Sequence, residues 1–277
     1  MTGSAEIPFE KMHGSGNDFI VISHKVLTDT SADLPAFVQG VCRRGTSVGA
    51  DGVIVIGPSD AADFSWQYIN ADGSDGDMCG NGAMVGARYA VNHGLAGSPC
   101  SFVTPAGIVR AEVDGERVSL QMMDAQQVAL GLHFEAQPGT EFDHYMLGVP
   151  HVVGFVEDAD AIKHLETVGR TIRNDARLQP LGANVNLIHQ VNETTIRMRT
   201  YERGVEAETL ACGTGAVCSA IAANRRGMVQ QPVSVRVSSG MVLTVSWRDD
   251  GDTATDVRLA GSARTVARGT ILPEALR

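Results

Sequence analysis

The sequence predicts an α+β protein of two pseudosymmetric domains, each a mixed, mostly antiparallel sheet curled around a central helix. Three observations carry this: a repeat at one fixed offset, strand-like runs leading into one small-residue helix in each copy, and hairpin-like pairs of runs after that helix. The repeat comes first, because overlooking one misreads the whole fold. The stretches "DMCGNGAM" (77–84) and "LACGTGAV" (210–217) share a Cys-Gly-x-Gly-Ala core, and Cys79 and Cys212 lie 133 residues apart. The same offset takes Gly49-Ala50-Asp51 to Gly182-Ala183-Asn184, Tyr68 to Tyr201, Gly94 to Gly227, Pro99 to Pro232 and Gly107 to Gly240, ungapped over residues 49 to 113. Chance glycine matches do not also carry Cys, Tyr and Pro in one register. The expected halves are 1–125 with 264–277, and 126–263, related by an approximate twofold axis.

Within each copy the elements follow in order. "GVIVIG" (52–57), "FSWQYIN" (64–70), "NVNLIHQV" (184–191) and "TIRMRTYE" (195–202) are strands by their β-branched and aromatic content. Each Cys-Gly-x-Gly segment then opens a helix, over Asn81 to His93 and Thr214 to Arg226, stopped by Gly94 and Gly227. These helices are small and apolar on most sides, which predicts burial against a sheet. After them come residues 101–122 and 233–261, read as hairpins from the turn signals "PAG", "DGE", "SSG" and "DDGD".

Bulk properties narrow the function. A net charge of −10 argues against a broad nucleic-acid or anionic-membrane surface, so neither partner is expected. The first residues lack the basic start and apolar core of a signal peptide, and no run of about 18 apolar residues occurs, so a cytoplasmic location is expected. Five cysteines, without CxxC or Cys/His metal spacing, argue against a disulfide framework and against a metal site. Cys42, Cys100 and Cys218 have no counterpart under the offset and are expected in the core.

Cys79 and Cys212 are different. Unpaired N–H groups and partial positive charge at a helix start suit an anion, and the same field favours a thiolate. Two such thiols facing a shared cleft could remove a proton from one face of a carbon beside a carboxylate and return one to the other face, which is racemisation or epimerisation. A paired-thiol redox protein would also use them. The glycine turns match neither G-x-G-x-x-G nor G-x-x-x-x-G-K-[ST], which sets nucleotide phosphates aside.

"FEKMHGSGNDFIVI" (9–22), "GADG" (49–52), "NADGSDGDMCGNG" (70–82), "GVPHVV" (148–153), "ANVN" (183–186) and "YERGVEAETLACGTGA" (201–216) follow one another in an order that resembles the diaminopimelate epimerase family over nearly the whole chain. The resemblance implies a cofactor-independent isomerase that interconverts LL- and meso-diaminopimelate for lysine and peptidoglycan synthesis, with two pseudosymmetric domains around a cleft and a homodimer in common. Cys79 and Cys212 then look like the catalytic acid/base thiols, assisted by His151 and Glu202. The backbone of Gly80-Asn81 and Gly213-Thr214 would hold the α-carboxylate. Asn17, Asn70, Asn184, Glu202 and Arg203 match substrate-binding residues, with Asn70, Asn184 and Arg203 reaching the distal amino-acid end, where an Arg fork and amides suit a second carboxylate. A racemase of another amino acid on the same scaffold is the nearest alternative. His13 reads as a turn histidine donating to backbone, and Glu202 and Arg203, taken alone, also fit a strand-end ion pair. The chain departs from the family pattern at Val149, at Met84 where an arginine is usual, and in "GSARTVARG" (261–269).

Overall fold

A computed structural model of the chain describes residues 6–25, 33–76 and 78–276. Residues 1–5 and 277, the ends of the expected first half, lie outside the described residues, as does Asp77 of the first cysteine motif. The chain divides into two compact units, Met1–Leu120 with Gly261–Arg277, and Gln121–Ala260.

The first unit contains β1 (Ile7–Gly14), β2 (Asn17–Ser23), α1 (Leu34–Val41), β3 (Gly52–Gly57), β4 (Phe64–Asn70), β5 (Asp75–Gly76), α2 (Gly80–Asn92), β6 (Cys100–Thr104), β7 (Gly107–Asp114) and β8 (Arg117–Gln121). Its ladders are antiparallel between β1 and β2, β3 and β4, and β6 and β7, but parallel between β2 and β3 and between β4 and β6. The sheet is therefore mixed. α2 runs against β1, β2, β3, β4 and β7, and its small residues permit that closeness. A Cβ at Gly86 would come within 2.5 Å of Trp66 Cδ1, so only glycine lets helix and strand meet there. α1 covers the other side, packing Phe37, Val38 and Val41 against Ile20, Ile22, Val53, Val55 and Ile69.

The second unit repeats the order: β9 (Ala125–His133), β10 (Glu141–Leu147), β11 (Val149–Phe155), α3 (Leu165–Arg173), β12 (Asn184–Asn192), β13 (Thr195–Glu202), β14 (Ala207–Thr209), α4 (Gly213–Arg225), β15 (Val233–Arg236), β16 (Val242–Asp250) and the start of β17 (Thr253–Ile271). β11 pairs parallel to β12, and β13 parallel to β15, at the places where the first unit is parallel. α4 lies against β10, β11, β12, β13, β15 and β16. α3 is amphipathic, burying Leu165, Val168 and Ile172, with Glu166 in its first turn and Arg170 and Arg173 in its last, as the helix dipole favours.

The 133-residue offset holds at the level of elements: α2 at 80–92 maps onto α4 at 213–225 without a shift. Gly49 and Gly182 share left-handed φ values of 72° and 64°, and Gly94 and Gly227 share 66° and 73°. Both helices begin one residue before the sequence-based start. Each cysteine is itself the extended N-cap residue, which makes Gly80 and Gly213 the first helical positions.

One element differs more. The last hairpin was expected to close at 261, but β17 continues to Ile271. Residues 263 to 271, including most of the divergent "GSARTVARG", pair antiparallel with β1, from Gly14↔Ala263 to Ile7↔Ile271. The departure from the family pattern is thus absorbed in a strand, where backbone ladder bonds need no particular side chain. Met84, the other departure in this unit, is fully buried in α2. Arginine's charge would have no place at such a position without a partner.

Candidate active site

In the first unit, the Cys79 sulfur accepts from Gly82 N at 3.4 Å and lies 3.6 Å from Asn17 Oδ1. Asn17 is oriented from behind. Its Nδ2 donates to Asp51 Oδ2, which also receives the Asp18 N–H at 3.2 Å. The other Asp51 oxygen takes Arg44 at 2.8 Å. Because its amide nitrogen is committed to a carboxylate, Asn17 must present its oxygen to Cys79. Lys11 reaches Asp18 at 2.6 Å, and Arg44 also binds Asp18. Burial would raise the Asp18 carboxyl, but hydrogen bonds and charge from Arg44 and Lys11 outweigh it and hold Asp18 at about 2.

The remaining first-unit residues take varied places. Asn81 is buried at the start of α2, and its Oδ1 has no hydrogen-bond partner among the described residues. Gly14 faces it with no side chain to spare, since a Cβ there would sit 2.6 Å from the Asn81 carbonyl. Asn70 ends β4 and donates to Ser74 O and Oγ at 3.3 and 3.1 Å. His13 corrects an expectation: it lies within β1, not in a turn, and its Nδ1 has no partner among the described residues. The backbone of β1 is taken up by its ladders with β2 and β17.

In the second unit, Cys212 is the N-cap of α4, with its sulfur 3.6 Å from Thr214 Oγ1. His151 is completely buried on β11 and stands against the parallel strand β12. Asn186 Nδ2 lies 3.3 Å from His151 Nδ1 and 3.3 Å from Val152 O, while Asn184 Nδ2 lies 3.5 Å from His151 Nε2 and 3.4 Å from Pro150 O. Burial, then the charges of Arg203 and His144, push His151 down to about 3, so the ring is neutral. Asn184 Oδ1 accepts the Arg203 N–H at 2.8 Å, and the Arg203 guanidinium reaches Leu181 O at 3.1 Å. Glu202 takes a hydrogen bond from Thr209 Oγ1 at 2.7 Å. Its hydrogen-bond partner is Thr209, while Arg203, in the turn after β13, sends its guanidinium to Leu181 O. Burial raises the Glu202 carboxyl, with the Thr209 bond opposing.

A family model described as diaminopimelate epimerase matches residues 9–128 and 144–266. The chain belongs to the diaminopimelate epimerase family. The diaminopimelate epimerase of Aquifex aeolicus is 40% identical over 282 residues, covering 97% of this chain and 99% of its own. That of Archaeoglobus fulgidus is 39% identical over 258 residues, covering 88% and 90%. Among solved structures, a hydroxyproline epimerase from Agrobacterium vitis superposes with a TM-score of 0.71 at 15% identity, covering 99% of this chain and 94% of that one, a likeness of fold alone.

Against the diaminopimelate epimerase pattern, sequence reasoning missed two sets of residues. Asn186 and Thr200 complete the surroundings of His151, with Thr200 Oγ1 donating to Asn186 Oδ1 at 2.9 Å. The signal was present in "ANVN": residues two apart on a strand share a face, so Asn184 implied Asn186. Arg44 and Asp18, which bind Asp51, and Lys11, which binds Asp18, carried no such signal. Charged residues scattered over two strands and a loop read as solvated surface until the fold brings them together.

Proposed function

We propose that this chain epimerises LL-2,6-diaminopimelate to meso-diaminopimelate by proton transfer at Cα, with Cys79 and Cys212 as the two acid/base groups. The observation that carries the reading is that each cysteine, followed by glycine, occupies the N-cap position of a largely buried 13-residue helix at repeat-equivalent positions. One thiolate removes the α-proton while the other thiol supplies a proton from the opposite face, which inverts the centre. The N–H groups of Gly80-Asn81 and Gly213-Thr214 take the α-carboxylate, where charge builds in the transition state. His151 and Glu202 assist the thiols. Asn17, Asn70, Asn184, Glu202 and Arg203 bind the rest of the substrate, with Arg203 on the distal carboxylate.

The reaction leaves an isotopic mark. Purified protein with LL-diaminopimelate in D2O is expected to yield meso product deuterated at one Cα. Unlabelled substrate of unchanged configuration would end the proposal. A panel of other amino acids, followed by optical rotation, separates this substrate from a racemase's. The working form we propose is a homodimer in the cytoplasm. Sedimentation at the mass of a single chain under assay conditions would remove the dimer.

A further inference from the structure

Asp51 bears on the Cys79 proton through Asn17. Its Oδ1 takes Arg44 at 2.8 Å, and its Oδ2 accepts the Asp18 N–H at 3.2 Å together with the Asn17 amide. A carboxylate paired with a guanidinium accepts at both oxygens, so the Asn17 atom that faces it is nitrogen. The other end of that amide, Oδ1, stands 3.6 Å from the Cys79 sulfur and can only accept in turn.

The Cys79 sulfur therefore has two neighbours that differ in what they tolerate. The Gly82 N–H, at 3.4 Å, can donate to a thiol or to a thiolate. The Asn17 oxygen discriminates: it gives an S–H somewhere to donate, whereas a thiolate would meet a second electron-rich atom. The thiol satisfies both contacts and the thiolate only one. The start of α2 pulls the other way, because its N–H groups and partial positive charge favour a thiolate, and α2 has no acidic side chain in its first turn to offset them. The charged groups behind Asn17, namely Asp51, Arg44, Asp18 and Lys11, are paired among themselves.

We infer that Asp51 is a positioning residue: by locking the Asn17 oxygen toward Cys79 it keeps the proton on that thiol in the substrate-free protein, against the pull of the helix start. Its bearing on epimerisation rests on the reading of Cys79 as an acid/base group, but the place of the proton does not.

Iodoacetamide labelling of the substrate-free protein across pH, followed at the Cys79 peptide by mass spectrometry, gives the midpoint at which that proton is lost. Asn17→Ala removes the acceptor with the ion cluster intact and should lower the midpoint by about one pH unit. Asp51→Asn frees the Asn17 amide to turn its NH2 group to the sulfur and should lower it at least as far. Asp18→Asn removes a charge from the same cluster but leaves Asn17 its partner, and should move the midpoint by less than about 0.3. An unmoved midpoint in Asn17→Ala overturns the inference. A fall in Asn17→Ala but not in Asp51→Asn removes Asp51 from it, as does an equal fall in Asp18→Asn, which would make Asp51 a charge and not a lock. Infrared spectra at neutral pH, taken as the difference between the protein and Cys79→Ser, supply a reading that folding alone does not move. An S–H band displaced to lower wavenumber is expected, returning in Asn17→Ala to the position of an unbonded thiol, and a difference without the band overturns the inference. Deuterium exchange into diaminopimelate, run in parallel, separates the layers. If the unaltered protein exchanges nothing while labelling behaves as expected, the epimerisation reading falls and the proton assignment stands.

Discussion

Cys79 and Cys212 occupy equivalent backbone positions but meet different chemistry. Cys79 faces an amide oxygen whose orientation Asp51 enforces, while Cys212 faces a hydroxyl that can donate or accept. In the second unit, Glu202 and His151 are titratable groups whose pKa values burial moves, upward for Glu202 and downward for His151. Glu202 makes this cost measurable. A carboxyl whose pKa is raised on folding holds its proton more tightly folded than unfolded. Its contribution to stability is most favourable below the unfolded value of 4.5 and is lost as pH rises through the raised folded value. Glu202→Gln keeps an acceptor for Thr209 and removes the buried charge. It should therefore melt at a higher temperature than the unaltered protein near about pH 7.5, with the gap closing as pH falls below 4.5, while epimerisation is reduced. A lower melting point at neutral pH, measured by calorimetry, would show that the carboxylate is better solvated than its setting implies.

The helix starts are where element geometry and chemistry meet. Gly215 is glycine because Asn186 and Cys212 leave no room for a side chain, although its backbone is ordinary for a helix. Gly215→Ala should cost about 2 kcal/mol or more of stability and most of the activity, by overpacking of a filled site. Gly97→Ala, at a position with open space and no left-handed φ, should stay within about 0.5 kcal/mol in the same urea titrations. Equal effects would mean that the α4 turn yields easily. Much of this level was legible beforehand. β3, β4 and β13 span the residues that their β-branched and aromatic runs marked, and both helices lie within one residue of the reading from Cys-Gly-x-Gly to Gly94 and Gly227. The long reach of β17 was not legible, since residues 264 to 270 are largely exposed and carry no apolar alternation. Their strand state is imposed by β1, a partner some 250 residues away in the sequence. The Arg44–Asp51–Asn17 relay was hidden for the same reason: its members touch only after β2, β3 and the loop before β3 have come together.

At the scale of the molecule, duplication and divergence divide the labour. The offset equates Asp51 with Asn184 and Asn70 with Arg203, so a carboxylate in one copy is an amide in the other, and an amide in one is a guanidinium in the other. The cysteine positions stayed alike while their surroundings separated, which suits the proposed reaction, in which one end of the substrate inverts and the other is only held. Arg203→Ala should accordingly raise KM for diaminopimelate by about 10- to 100-fold, leaving any slow exchange of a monocarboxylic amino acid unchanged, as measured by tritium release. A uniform loss on both substrates would take Arg203 off the distal carboxylate. β17 has a consequence of another kind. The strand that completes the ladder of β1 is drawn from residues 263 to 271, made only after the second unit, Gln121–Ala260. On the ribosome, the half bearing Cys212 has its whole complement of strands while the half bearing Cys79, translated first, still waits for its closing one. Birth order and completion order are thus reversed, and a message read to residue 260 would leave the older half with an open edge.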